Sequence, residues 1–157
     1  MAVRMELSRI LIRELAEIQM IELREVAPGS LNSEVGAPPG VQNTEIDEAS
    51  LRTFPIVIGL TEAQAIQRRL KGEVIKRPQT HDLLANVIES LGARLDSIAV
   101  NDLNEHTFFA VLQIIAADGR RINVDCRPSD AIALGVAGNV PIYVAEHVLD
   151  AASKDEE

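Results

Sequence analysis

The sequence contains no tryptophan, one tyrosine and three phenylalanines, so aromatic residues make up only 3% of it. Single-strand nucleic-acid binders that stack bases need an aromatic platform. Phe54, Phe108, Phe109 and Tyr143 all fall in stretches that read as strands, which argues against one here. A core must then be assembled from Ile, Leu, Val and Ala, and the β-branched members of that set favour sheet. Cys126 is the only cysteine. It excludes an intramolecular disulfide and points to a reducing, cytoplasmic setting. With no obvious activating neighbour it reads as a small core residue. Long hydrophobic runs are missing as well. Charged and apolar residues alternate from Arg4 to Arg13, a pattern expected of neither a signal peptide nor a membrane span.

Basic residues are outnumbered, 15 Lys and Arg against 24 Asp and Glu, for a formal net charge of −9. A polyanion is repelled by such a field unless cations are gathered locally. Arg68, Arg69, Lys71, Lys76 and Arg77 form one such gathering, with only Glu73 as counter-charge; a solvated helix face with its following loop is the plainer account. A glycine-rich phosphate loop, a Cys-x-x-Cys pair and a His-Glu-x-x-His helix are all absent, which sets aside nicotinamide and zinc chemistry. His106 and His147 fall in a turn and a terminal helix without ligand spacing.

What is present suits one α+β domain over residues 1–152, followed by a disordered acidic tail at 153–157. The apolar share of 46% over 157 residues is enough to enclose a core. Two strands lie between Met5 and Val26, and the adjacent apolar residues Ile10 to Ile12 suggest a bulge. Pro28 to Thr53, rich in Gly, Pro, Ser and Asn, reads as a long flexible loop. The strand Phe54–Ile58 leads to a helix capped by Thr61 with Gln64 and ending near Gly72. A second helix starts at Thr80 with Leu83, Leu84, Val87, Ile88 and Leu91 on one apolar face. A meander follows, Leu95–Val100, Thr107–Ala117 and Arg121–Cys126, the last two strands joined at Asp118-Gly119. Ile122, Val124 and Cys126 share one face, which places Asn123 and Asp125 on the other. Ser129 caps a third helix to about Gly138. A short strand at Pro141–Val144 and a helix at Glu146–Ala152 complete the order.

Aligning Thr61 with Ser129 without gaps sets Ile56-Val57-Ile58 against Val124-Asp125-Cys126 and Glu62-Ala63-Gln64-Ala65-Ile66 against Asp130-Ala131-Ile132-Ala133-Leu134. Each half is three strands and a helix, which suggests duplicated β-β-β-α repeats in mixed or antiparallel sheets.

Three segments carry polar chemistry: Arg77-Pro78-Gln79-Thr80-His81-Asp82-Leu83-Leu84, Val124 through Leu134, and Pro141-Ile142-Tyr143-Val144-Ala145-Glu146. In order and spacing they resemble the bifunctional nuclease family from about Met5 to Leu149, apart from the enlarged Pro28–Thr53 loop. The resemblance implies two β-β-β-α repeats, a homo-oligomer, and hydrolysis of both RNA and DNA. Phosphodiester cleavage needs an activated water and stabilised phosphate charge, commonly from a divalent ion held by carboxylates. Asp82, Asp125 and Asp130 are the candidate ligands for Mg2+ or Mn2+, His81 a candidate acid or base, and Arg77 and Arg127 candidate phosphate clamps. The same residues have plainer roles. Asp82 and Asp130 suit helix N-termini through the dipole alone, and Arg127 beside Asp125 or Asp130 suits a structural ion pair. The alternative to a nuclease is therefore a non-catalytic oligomeric binding or regulatory module.

Overall fold

The computed structural model describes residues 2–13, 18–27 and 51–154. Among the described residues seven strands and four α-helices form an α+β fold. In chain order they are β1 (Ala2–Leu11), β2 (Gln19–Glu25), β3 (Thr53–Ile58), α1 (Leu60–Lys71), α2 (Thr80–Ser90), β4 (Arg94–Asn104), β5 (Thr107–Ile115), β6 (Arg121–Cys126), α3 (Pro128–Gly135), β7 (Ile142–Ala145) and α4 (Glu146–Lys154). All the strands join one sheet in the order β3-β2-β1-β7-β4-β5-β6. β7 links two antiparallel meanders, running antiparallel to β1 and parallel to β4. The element order is β-β-β-α twice over, with α2 between the two runs.

The sheet is strongly curled. Phe54 of β3, at one edge, stacks on Phe108 of β5, the sixth strand across, with ring centroids 5.5 Å apart. Alternation along the strands points one set of side chains into this concavity. Phe54, Ile56, Ile21, Leu23, Met5, Ile98, Val100, Ala110 and Leu112 are buried there. α3 contributes Ala131, Ile132, Ala133 and Leu134, and α4 contributes Val148, Leu149 and Ala152. The register shifts between Leu7 and Arg9, which places a bulge at Ser8, whereas Ile10 and Leu11 pair regularly with Ile21 and Met20 and Leu11 is exposed. The β4–β5 turn is closed by Glu105 and His106, both left-handed at φ 50° and 61°. Two successive positive φ values match strand twist in a two-residue hairpin.

Several expectations need correction. Neither Thr61 nor Ser129 is the cap: α1 is preceded by Gly59 and α3 by Arg127, with Pro128 in the first turn, and neither capping position makes a side-chain bond. Gly72, at φ 65°, does end α1 in the left-handed form. The apolar face of α2 is turned mostly outward. Leu83, Leu84, Val87 and Leu91 are exposed, while Ala85 and Ile88 pack against the core. α3 itself is almost wholly buried, so it occupies the place a core-facing α2 would take. Ser153 and Lys154 continue α4 instead of fraying. Residues 28–50, most of the expected loop, and the tail residues 155–157 lie outside the described residues. Among the described residues no helix is long and apolar enough to cross a membrane.

Candidate functional site

The first three helices each carry an acidic residue at the third helical position: Glu62 in α1, Asp82 in α2 and Asp130 in α3. A carboxylate there meets the unpaired amides of the first turn and the positive end of the helix dipole. What distinguishes the three is that arginines and a histidine from other segments also reach them, tying the helix starts together.

Asp82 is the most enclosed. Its Oδ2 accepts the backbone N–H of Gln79 at 3.0 Å and lies 2.9 Å from Arg68 Nη2, and its Oδ1 accepts from Arg69 Nη1. Arg69 also donates to the carbonyls of Ala133 and Leu134, the unpaired acceptors at the end of α3. Burial pushes the Asp82 carboxyl up, but the Gln79 amide and the two guanidiniums outweigh it and hold it below its ordinary value. Arg68 and Arg69 are 12% and 11% exposed. They therefore do not belong to a solvated cationic face, and the basic cluster is reduced to Lys71, Lys76 and Arg77, which are exposed.

The second group joins both polar motifs. His81 Nε2 lies 2.9 Å from Asp130 Oδ1, across 49 residues of sequence. Arg127 donates from Nε to Asp130 Oδ2 at 2.9 Å and from Nη2 to Oδ1 at 3.2 Å. Its Nη1 reaches Glu62 Oε1 at 3.1 Å. Glu62 folds back over its own helix start, so that a Cβ at Gly59 would have to displace the carboxyl end of Glu62. Burial pushes the Asp130 carboxyl up, yet Arg127 and His81 together hold it below its ordinary value. Asp130 is then an acceptor-only carboxylate at neutral pH, so Nε2 of His81 donates to it, and in the neutral form of the ring Nδ1 is the acceptor.

A cavity of about 520 Å3 opens beside Arg127 and is walled by Pro55, Val57, Leu103, His106 and Phe108. Arg127 is 63% exposed whereas His81 is 14%. Phe108 thus borders a groove although it belongs to a strand. Arg77 is exposed and makes no ion pair among the described residues.

The six expected site residues do not all meet. His81, Asp130 and Arg127 do; Asp82 is held apart by Arg68 and Arg69. Asp125 is exposed on β6, on the sheet face opposite Val124 and Cys126. Among the described residues no three His, Cys, Asp or Glu side chains group in a way that could hold a metal ion. The described carboxylates therefore do not form a ready cradle for Mg2+ or Mn2+. Glu62 was not singled out from the sequence, and Arg68 and Arg69 were read there only as members of the basic gathering. The gapless alignment of Thr61 with Ser129 contains the signal for Glu62, since it sets that residue against Asp130.

A model of the bifunctional nuclease domain matches residues 45–157. The chain belongs to the bifunctional nuclease domain family. The match takes in both polar groups and five of the seven strands, leaving β1 and β2 outside although they share the same sheet. Two uncharacterized proteins, from two strains of Mycobacterium tuberculosis, are each 44% identical over 98 residues, 62% of this chain. The chain spans 57% of the length of each of these relatives.

Proposed function

We propose that the chain hydrolyses phosphodiester bonds of RNA and DNA, with His81 moving the proton and Asp130 fixing its tautomer. The observation that carries this reading is the 2.9 Å contact between His81 and Asp130, which joins the two motifs within a domain of nuclease type. Nδ1 of His81 would take the proton of an attacking hydroxyl or water and return it to the leaving oxygen. Arg127, at the mouth of the groove, would hold a phosphate oxygen with the guanidinium N–H groups that Asp130 and Glu62 leave free. Arg77 would contact the strand farther along. Cleavage of RNA and DNA oligonucleotides by the purified chain, with EDTA, magnesium or manganese as separate arms, tests the activity and its metal requirement together. His81→Ala and Asp130→Asn should each lower kcat by about 100-fold. Unchanged cleavage in both variants overturns the assignment.

A second reading has its own support. Arg68, Arg69 and Arg127 are all ion-paired with carboxylates of the fold, as expected of a non-catalytic binding or regulatory module braced at its helix starts. Absence of cleavage in every metal arm, with intact folding, favours it.

A further inference from the structure

The two edges of the sheet are built differently. An open edge offers unpaired N–H and C=O groups to any passing strand, and proteins usually blunt it with proline, lysine, a bulge or a covering element. The β3 edge carries Pro55, which has no N–H to donate. The β6 edge, Arg121–Cys126, has neither proline nor lysine, and its register with β5 is unbroken from Arg121 to Cys126. Arg121 to Asp125 are all exposed. Ile122 and Val124 point to the same face as the buried Ile114 and Leu112, yet remain 38% and 41% exposed.

We propose that β6 is the interface between two copies of this chain, paired antiparallel about a twofold axis through Asn123. Such a pairing sets residue 121 against 125 and residue 122 against 124. On one face Arg121 then meets the partner's Asp125, on both sides of a central Asn123 pair. On the other face Ile122 meets the partner's Val124. Neither Arg121 nor Asp125 makes an ion pair among the described residues, so both are available. Opposite charges across a strand pair are favourable and like charges are not, so this register is specified while slips of one residue lose both matches. A twofold interface must complement itself, and this five-residue stretch does so at every position. Two seven-stranded sheets would become one continuous sheet. Asp125 would be an interface residue, which also accounts for its separation from Asp130.

Sedimentation velocity on the full chain, with circular dichroism as the folding control, tests this independently of any nuclease activity. A dimer is expected at micromolar concentration. Arg121→Asp and Asp125→Arg should each weaken it about tenfold or more, and the double exchange should restore it, because the charges then swap places across the same axis. A wild-type monomer up to about 100 µM, single variants that dimerise normally, or a folded double variant that stays monomeric would each overturn the proposal. Should the variants not fold, amide exchange of the wild type decides. Protection at residues 121–126 that rises with protein concentration supports the interface, and concentration-independent exchange there refutes it.

Discussion

Arg127 bridges Glu62 and Asp130, the third residues of two different helices, at 3.1 and 2.9 Å. One guanidinium thus aligns the starts of α1 and α3 and orients the carboxylate that His81 rests on. Local charge is nevertheless unfavourable to a phosphate, because two carboxylates face a single fixed cation. Binding a polyanion requires competition with Glu62 for Arg127. The Glu62→Gln variant should therefore bind single-stranded oligonucleotides several-fold more tightly at low salt, with a gain that shrinks as ionic strength rises. Fluorescence anisotropy measures this, and an unchanged or weaker affinity would remove Arg127 from the phosphate path.

The two arginine groups should differ in their effect on stability. Arg69 is almost enclosed and satisfies Asp82 and two terminal carbonyls of α3. Truncating it leaves Asp82 with only Arg68 and the Gln79 amide and deprives two carbonyls of a donor, and Arg69→Ala should cost about 2–3 kcal/mol. The 63% exposed Arg127 is well solvated, so Arg127→Ala should cost no more than about 1 kcal/mol. Urea unfolding compares the two. Equal losses would mean that Arg127 is as structural as Arg69.

Acid should unfold the protein through the same groups. Asp82 and Asp130 are both held below the ordinary value of 3.8, so their ionised forms stabilise the fold above that value. The contribution is lost as pH falls through the depressed folded values. The urea midpoint should be nearly flat from about pH 7 to pH 5 and fall below about pH 4. The drop should be shallower in Asp82→Asn, whose starting stability is already reduced. A midpoint that rises on acidification would contradict the sign.

Cys126 should behave as a packing residue. Burial, and then the nearby Asp125 and Asp130 charges, push its thiol up to about 11. Thiolate is the reactive form, so alkylation of the folded protein at pH 8 should run at least about tenfold slower than in urea. Timed iodoacetamide labelling checks this. Comparable rates would show that the thiol is open and activated.

Leu84 and Leu91 belong to a helix whose apolar stripe resembles a core face, yet they are 41% and 73% exposed. Leu91→Gln should change stability by less than about 0.5 kcal/mol, whereas Ile88→Ala, on the packed side, should cost about 2 kcal/mol. Thermal unfolding separates these cases. A large loss at Leu91 would place that residue inside an association surface.

Much of the backbone could be read directly from residue order. Apolar periodicity and turn residues located seven strands, and Gly72 and Gly119 marked where the chain turns. These features are local: steric limits on φ, a missing Cβ and the two-residue period act over a few residues and leave their mark in the chain. Positions of the polar side chains were set differently. Arg68 and Arg69 read as solvated because helix spacing does not reveal a carboxylate 13 or 14 positions later. The outward turn of α2 followed from α3 taking the interior. Asp125 was separated from Asp130 by strand alternation, while His81 met Asp130 across two segments that only the packed core brings together. The sequence alone determined which elements form and which ionisable groups stand at helix starts. Tertiary structure decided which of those charges meet, because Coulomb and hydrogen-bond energies depend on separations in space that become fixed only when the helices pack.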